Sequence, residues 1–168
     1  MVEPLKPKRG GFVRPFGCGW FIREFLMGKG PNGSPVIDPS VGAPQSDIFH
    51  YYKQAILRAT ALDRATRHEE RQARREKRLI SPENIEKTTE RYLARMPYKS
   101  SACRYHSFVV YFSNLRRLGW VEFTGKEEPS AFQDHYLSGQ PRRYYRLTLA
   151  GMTAPETAWT NPFSALYG

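Results

Sequence analysis

Between Pro44 and Pro82 the chain contains neither glycine nor proline. Such a stretch can stay in one unbroken helix, because proline would remove a backbone donor and glycine would add the largest backbone entropy cost. Ser46-Asp47 supplies a start, and Phe49, Tyr52, Ile56, Ala59 and Leu62 then recur at spacings of three and four. The spacing predicts a helix of more than thirty residues. Its second half changes character. Arg64, Arg67, Arg71, Arg74 and Arg78 fall on one stripe, with Glu69, Glu70 and Glu76 elsewhere on the wheel. Such a stripe is either a solvated extension laced with ion pairs or a ridge that tracks phosphates or faces a partner.

Two further helices follow. Ser81-Pro82-Glu83 combines a capping hydroxyl, a proline at the first helical position and a carboxylate at the positive end of the dipole. Ile85, Thr89, Tyr92 and Leu93 give that helix an inner face up to Met96-Pro97. Lys99-Ser100-Ser101 opens the next, whose stripe is Tyr105, Phe108, Val109, Phe112, Leu115 and Leu118, and Gly119 stops it. The period then drops from 3.6 to 2. Val121 and Phe123 alternate with Glu122 and Thr124, and Tyr145, Leu147 and Leu149 alternate with Tyr144, Arg146 and Thr148. An antiparallel pair near 119–124 and 143–149 is expected, joined by a polar loop of about seventeen residues.

The flanks read differently. Residues 1–18 mix Pro, Gly and basic side chains, an arm suited to an acidic surface. Trp20, Phe21, Phe25 and Leu26 predict a short helix over 19–27, ended by Gly28, and 28–46 is a Gly/Pro-rich connection. Gly28-Lys29-Gly30-Pro31-Asn32-Gly33 matches a dinucleotide fingerprint in letters only: a helix precedes it and Ser34-Pro35 follows where a helix should open, so it is a turn. Residues 152–168, with Pro155 and Pro162, form an irregular tail anchored by Trp159 or Phe163. The expected division is therefore 1–46, a main domain over 47–151, and 152–168.

With 168 residues, 40% of them apolar, the chain can build a core. Lys plus Arg number 26 against 16 acidic residues, a net charge of +10 spread along the chain, which points to a polyanionic partner. No stretch approaches a membrane span, and the opening residues lack a signal-peptide apolar core, so a cytoplasmic, nucleoid-associated location is expected. Two cysteines and four scattered histidines make neither a disulfide framework nor a zinc site. The sequence holds no nucleophile elbow, zinc-protease, Walker or paired-carboxylate motif, so neither enzyme activity nor a cofactor is expected.

Helix, helix, helix, hairpin is the order of a winged helix-turn-helix domain. Leu115-Arg116-Arg117-Leu118-Gly119-Trp120-Val121-Glu122 resembles a recognition helix running through glycine into the first wing strand. Arg142-Arg143-Tyr144-Tyr145-Arg146-Leu147-Thr148-Leu149-Ala150-Gly151 resembles the second wing strand of PadR-type transcriptional regulators. The resemblance covers residues 82–151 and, more loosely, 47–81. It implies a mainly α fold with a small β-hairpin, a winged helix-turn-helix with a basic N-terminal extension, and a transcriptional regulator.

Setting Phe108 toward the core places Lys99, Cys103, His106, Val110, Ser113, Asn114 and Arg117 on the far side of the third helix, with Arg104 and Ser107 on a shoulder. Arginine can pair bidentately with guanine and asparagine with adenine, while lysine and serine suit phosphate. The expected nucleic-acid contacts are Lys99, Ser100, Arg104, His106, Ser107, Asn114 and Arg117, with Arg142, Arg143 and the stripe of Arg67, Arg71, Arg74 and Arg78 beside them. Double-stranded DNA is the expected partner. The alternatives are a winged-helix interaction subunit of a larger nucleoprotein or transcription assembly, which holds a protein partner through the aromatic N-terminal helix or the long arginine helix, and RNA binding; a homodimer is left open.

Overall fold

The computed structural model describes residues 17–29, 37–96, 104–128 and 141–162. In chain order the elements are α1 (Cys18–Leu26), β1 (Ala43–Pro44), α2 (Gln45–Glu76), α3 (Pro82–Arg95), α4 (Tyr105–Arg117), β2 (Val121–Glu128), β3 (Arg142–Leu147), α5 (Leu149–Thr153) and α6 (Glu156–Thr160). The fold is mainly helical with one small antiparallel sheet. It divides into two compact units, one of Met1–Tyr52 with Arg104–Gly168 and one of Lys53–Cys103. This differs from the expected single domain over 47–151: α3 belongs to one unit and α4 to the other.

In the first unit, the sheet has strand order β1-β3-β2. Val121 lies opposite Leu147 and Phe123 opposite Tyr145, the hairpin that the alternation predicts. The third strand, Ala43–Pro44 against Tyr144 and Tyr145, has no signal in the sequence because it is two residues long. Proline is tolerated there because β1 is an edge and needs no donor on its outer side.

The core of this unit is a run of aromatic rings. Phe25 and Phe21 are 5.6 Å apart, Phe21 meets Tyr52 at 5.2 Å, Tyr52 meets Phe108 at 6.2 Å, Phe108 meets Phe112 at 6.0 Å, and Phe112 meets Tyr145 edge-on at 5.2 Å. The run joins α1, the start of α2, α4 and β3. Burying each such side chain contributes about 1.5–3 kcal/mol, so α1, with Phe21, Ile22, Phe25 and Leu26 all buried, is part of the core rather than an appendage to it.

The residues after the hairpin are not an irregular tail over their described part. Thr148 caps α5 by accepting from the Gly151 N–H at 3.0 Å, and α6 carries Trp159 into full burial. The Trp159 Nε1–H donates to the Gly151 carbonyl at 2.9 Å, and its ring lies 4.7 Å from Trp120. Gly151 is the residue this contact requires: a Cβ there would sit 2.3 Å from the Trp120 carbonyl oxygen. Trp159 is thus an anchor, as expected, while Phe163 lies outside the described residues.

The second unit is a helical hairpin of the distal part of α2 and α3. Ala61, Ala65, Glu69 and Ala73, four residues apart, form a buried stripe on α2, and Thr89 is the buried residue of α3. Arg58 and Glu90 pair across the hairpin at 3.3 Å. α2 runs for 32 residues, as the absence of glycine and proline allows. It ends with Lys77 in the left-handed region (φ 52°) and the Arg78 N–H returning to the Ala73 carbonyl at 3.0 Å. Ser81 then caps α3, its hydroxyl accepting from the Asn84 N–H at 3.3 Å, with Pro82 in the first turn.

Candidate nucleic-acid interface

α4 presents a clean exposed stripe. His106, Val110, Ser113 and Arg117, at spacings of four, three and four, are all exposed, and so are Arg104 at the N-cap and Ser107. Among the described residues none of Arg104, His106, Ser107 and Arg117 has an ion pair. Lys99 and Ser100 lie outside the described residues.

Asn114 corrects the expectation. It is 7% exposed, and so is not on the face available to a base. The buried arc of α4 is wider than a stripe centred on Phe108, because Tyr111, three residues before Asn114, is buried as well. The start of α1 and the end of α6 close that side: a Cβ on Gly19 would sit 2.4 Å from the Tyr111 hydroxyl and 2.3 Å from the Trp159 carbonyl. Burial pushes the Tyr111 phenol far above its ordinary range, with Cys18 beside it adding to the shift. This part of the helix is core, and the segments that make it so are the two expected to be an arm's helix and a tail.

The hairpin arginines are present but engaged. Arg142 pairs with Asp47 and, at 3.2 Å, with Glu128; Arg143 pairs with Glu127 at 3.1 Å, and Arg146 with Glu122 at 3.0 Å. The register is the cause, since it sets Glu128, Glu127 and Glu122 opposite Arg142, Arg143 and Arg146. Glu128 and Glu127 offset the charges of Arg142 and Arg143, the two hairpin residues expected to contact nucleic acid.

In the second unit, Arg64, Arg67, Arg71 and Arg74 share one exposed stripe of α2. Arg67 pairs with Asp63 at 3.0 Å, an exposed pair of the kind that contributes ~0–1 kcal/mol. Arg64, Arg71 and Arg74 have no carboxylate partner among the described residues. The stripe does not extend to Arg78. That residue lies beyond the helix end and folds back onto Glu69 at 2.5 Å and onto Glu76. The reason is local: the left-handed Lys77 turns the chain away from the helix axis. Arg75 and Arg116, both exposed, are cations that sequence reasoning left out, and each was legible only as the neighbour of a residue already chosen.

The Arg78 guanidinium, with help from the Asn84 side-chain amide, holds the Glu69 carboxyl below the usual glutamate range despite its burial. Because the folded value is lowered, the stabilisation is present above the unfolded value of about 4.3 and is lost as pH falls through the folded value. Glu69→Gln should therefore lower the melting temperature at pH 7, with the difference from wild type shrinking toward pH 3 in far-UV circular dichroism melts. A difference that stays constant over that range would mean the carboxylate charge is not what holds the turn.

Among the described residues no helix is long and apolar enough to cross a membrane, and no group of three His, Cys, Asp or Glu side chains is placed to hold a metal ion. Compared with protein-family models, with curated proteins and with solved structures, the chain matches none.

Proposed function

We propose that this chain binds double-stranded DNA as a transcriptional regulator of winged-helix, PadR-like type, with α4 in the major groove and arginines on phosphates. The observation that carries the reading is the stripe of Arg64, Arg71 and Arg74, exposed on one helix face and free of carboxylate partners among the described residues. A row of this kind can neutralise successive phosphates, which supplies most of the affinity without reading sequence. Sequence would be read by the exposed stripe of α4. With Asn114 buried, that work falls to Arg104, His106 and Ser107 near its N-terminus, where helix-turn-helix proteins place base contacts. The hairpin, its arginines already matched by glutamates, braces the helix more than it grips the backbone.

The test is a salt series of binding to duplex DNA, single-stranded DNA and duplex RNA, followed by selection from random duplexes. Arg104→Ala should cost about 1–3 kcal/mol on the selected site and much less on random duplex, whereas Lys99→Ala should weaken both alike. Selection that enriches no sequence would end direct readout by α4 and favour its use as a protein-docking face.

A further inference from the structure

One ring on the core-facing side of β2 is left open. Val121 is 3% exposed, yet Phe123, two residues along on the same side, is 42% exposed. Among the described residues it is the one large apolar side chain of the sheet so exposed. It is flanked by cations and rings. The Arg143 guanidinium lies over the Phe123 ring at 5.7 Å, the Phe123 ring is 6.2 Å from Tyr145, and the Arg116 guanidinium lies over the Tyr145 ring at 5.1 Å. The strand's carboxylates are taken up: Glu127 by Arg143 at 3.1 Å, Glu128 by Arg142 at 3.2 Å and Glu122 by Arg146 at 3.0 Å.

An exposed aromatic ring with one guanidinium free of carboxylate partners among the described residues, Arg116, across the Tyr145 ring fits a ligand that offers a planar π face with negative charge beside it. An unpaired nucleotide within a strand has that chemistry: its base stacks on the ring while a flanking phosphate meets Arg116. Bases inside a duplex hide their faces in the stack and show only edges. We propose that Phe123, with Arg116 nearby, is a stacking site for an unpaired base, so that the preferred DNA carries a single-stranded stretch next to its duplex. The proposal deepens the DNA-binding reading and rests on it for the duplex part alone.

The experiment measures anisotropy of three labelled probes with the full chain: a blunt duplex, the same duplex carrying a single-stranded oligothymidine extension, and oligothymidine by itself. Wild type should bind the extended duplex ~10-fold more tightly than the blunt one, the amount one stacked base contributes. Phe123→Leu, which keeps an apolar side chain without a π face, should abolish that preference while leaving blunt-duplex affinity unchanged. Phe123→Tyr should restore it. Equal affinity of wild type for blunt and extended duplexes, or a preference that survives Phe123→Leu, overturns the stacking site and leaves duplex binding standing. Failure on the blunt duplex with oligothymidine binding that depends on the aromatic ring overturns the duplex reading and keeps the site. Failure on all three probes overturns both.

Discussion

Changing Arg64, Arg71 and Arg74 together to glutamine is expected to weaken binding to every duplex, whatever its sequence, on the order of 10²–10³-fold at 0.1 M salt. The figure comes from counterion release: each phosphate contact contributes about 0.9 to the slope of log affinity against log salt, so three contacts contribute about 2.7 decades between 1 M and 0.1 M. The slope itself should flatten by the same ~2.7. Glutamine keeps helix propensity close to that of arginine, and none of the three has a carboxylate partner among the described residues, so the fold should be undisturbed. Arg78→Gln is the contrasting variant. Its side chain is spent on Glu69 and Glu76, so it should cost melting temperature and leave the slope nearly alone. If the triple variant keeps both affinity and slope, the stripe is a solvated helix face and the proposed function loses its main support.

The other large effect is structural. Trp159→Ala should destabilise the unit that contains it by about 3–5 kcal/mol, the range for truncating a fully buried tryptophan. The loss has three parts: the ring's burial, its 4.7 Å contact with Trp120, and the Nε1–H donation to Gly151, which would leave a buried carbonyl without its partner. Against a total of roughly 5–15 kcal/mol for an ordinary domain, this is enough to leave the unit marginal. Trp159→Phe keeps most of the apolar area and gives up the hydrogen bond, so it should cost markedly less. Urea unfolding of the three proteins decides the matter, and a shift below about 1 kcal/mol for Trp159→Ala would show that α6 is not part of the cooperative core.

The proposed interface was read from the sequence with unequal success, and the residues show why. Ser81-Pro82, Gly119 and the absence of breakers between Pro44 and Pro82 act on the backbone where they stand, so the course of α2 and α3 and the end of α4 were legible in the sequence, whereas α4 opens later than expected, at Tyr105 after an extended Arg104. The alternation around Val121 and Leu147 likewise made the hairpin legible, since one face had to be buried, but not the shift in register between Phe123 and Glu127 or the run of β2 on to Glu128. Side-chain availability is different, because it depends on what distant segments bring. Asn114 sits on α4 where a face centred on Phe108 would leave it open, and it is buried with Tyr111, whose hydroxyl the start of α1 approaches. Arg142 and Arg143 look free in a basic run until strand pairing sets Glu128 and Glu127 against them. Arg78 keeps the periodicity of its stripe in the letters and leaves it in space, because one left-handed residue ends the helix. Helix and strand limits follow from local backbone preference. Which arginines remain free to meet a phosphate was decided only by tertiary structure, because a charge is spent on whichever opposite charge the fold brings within reach.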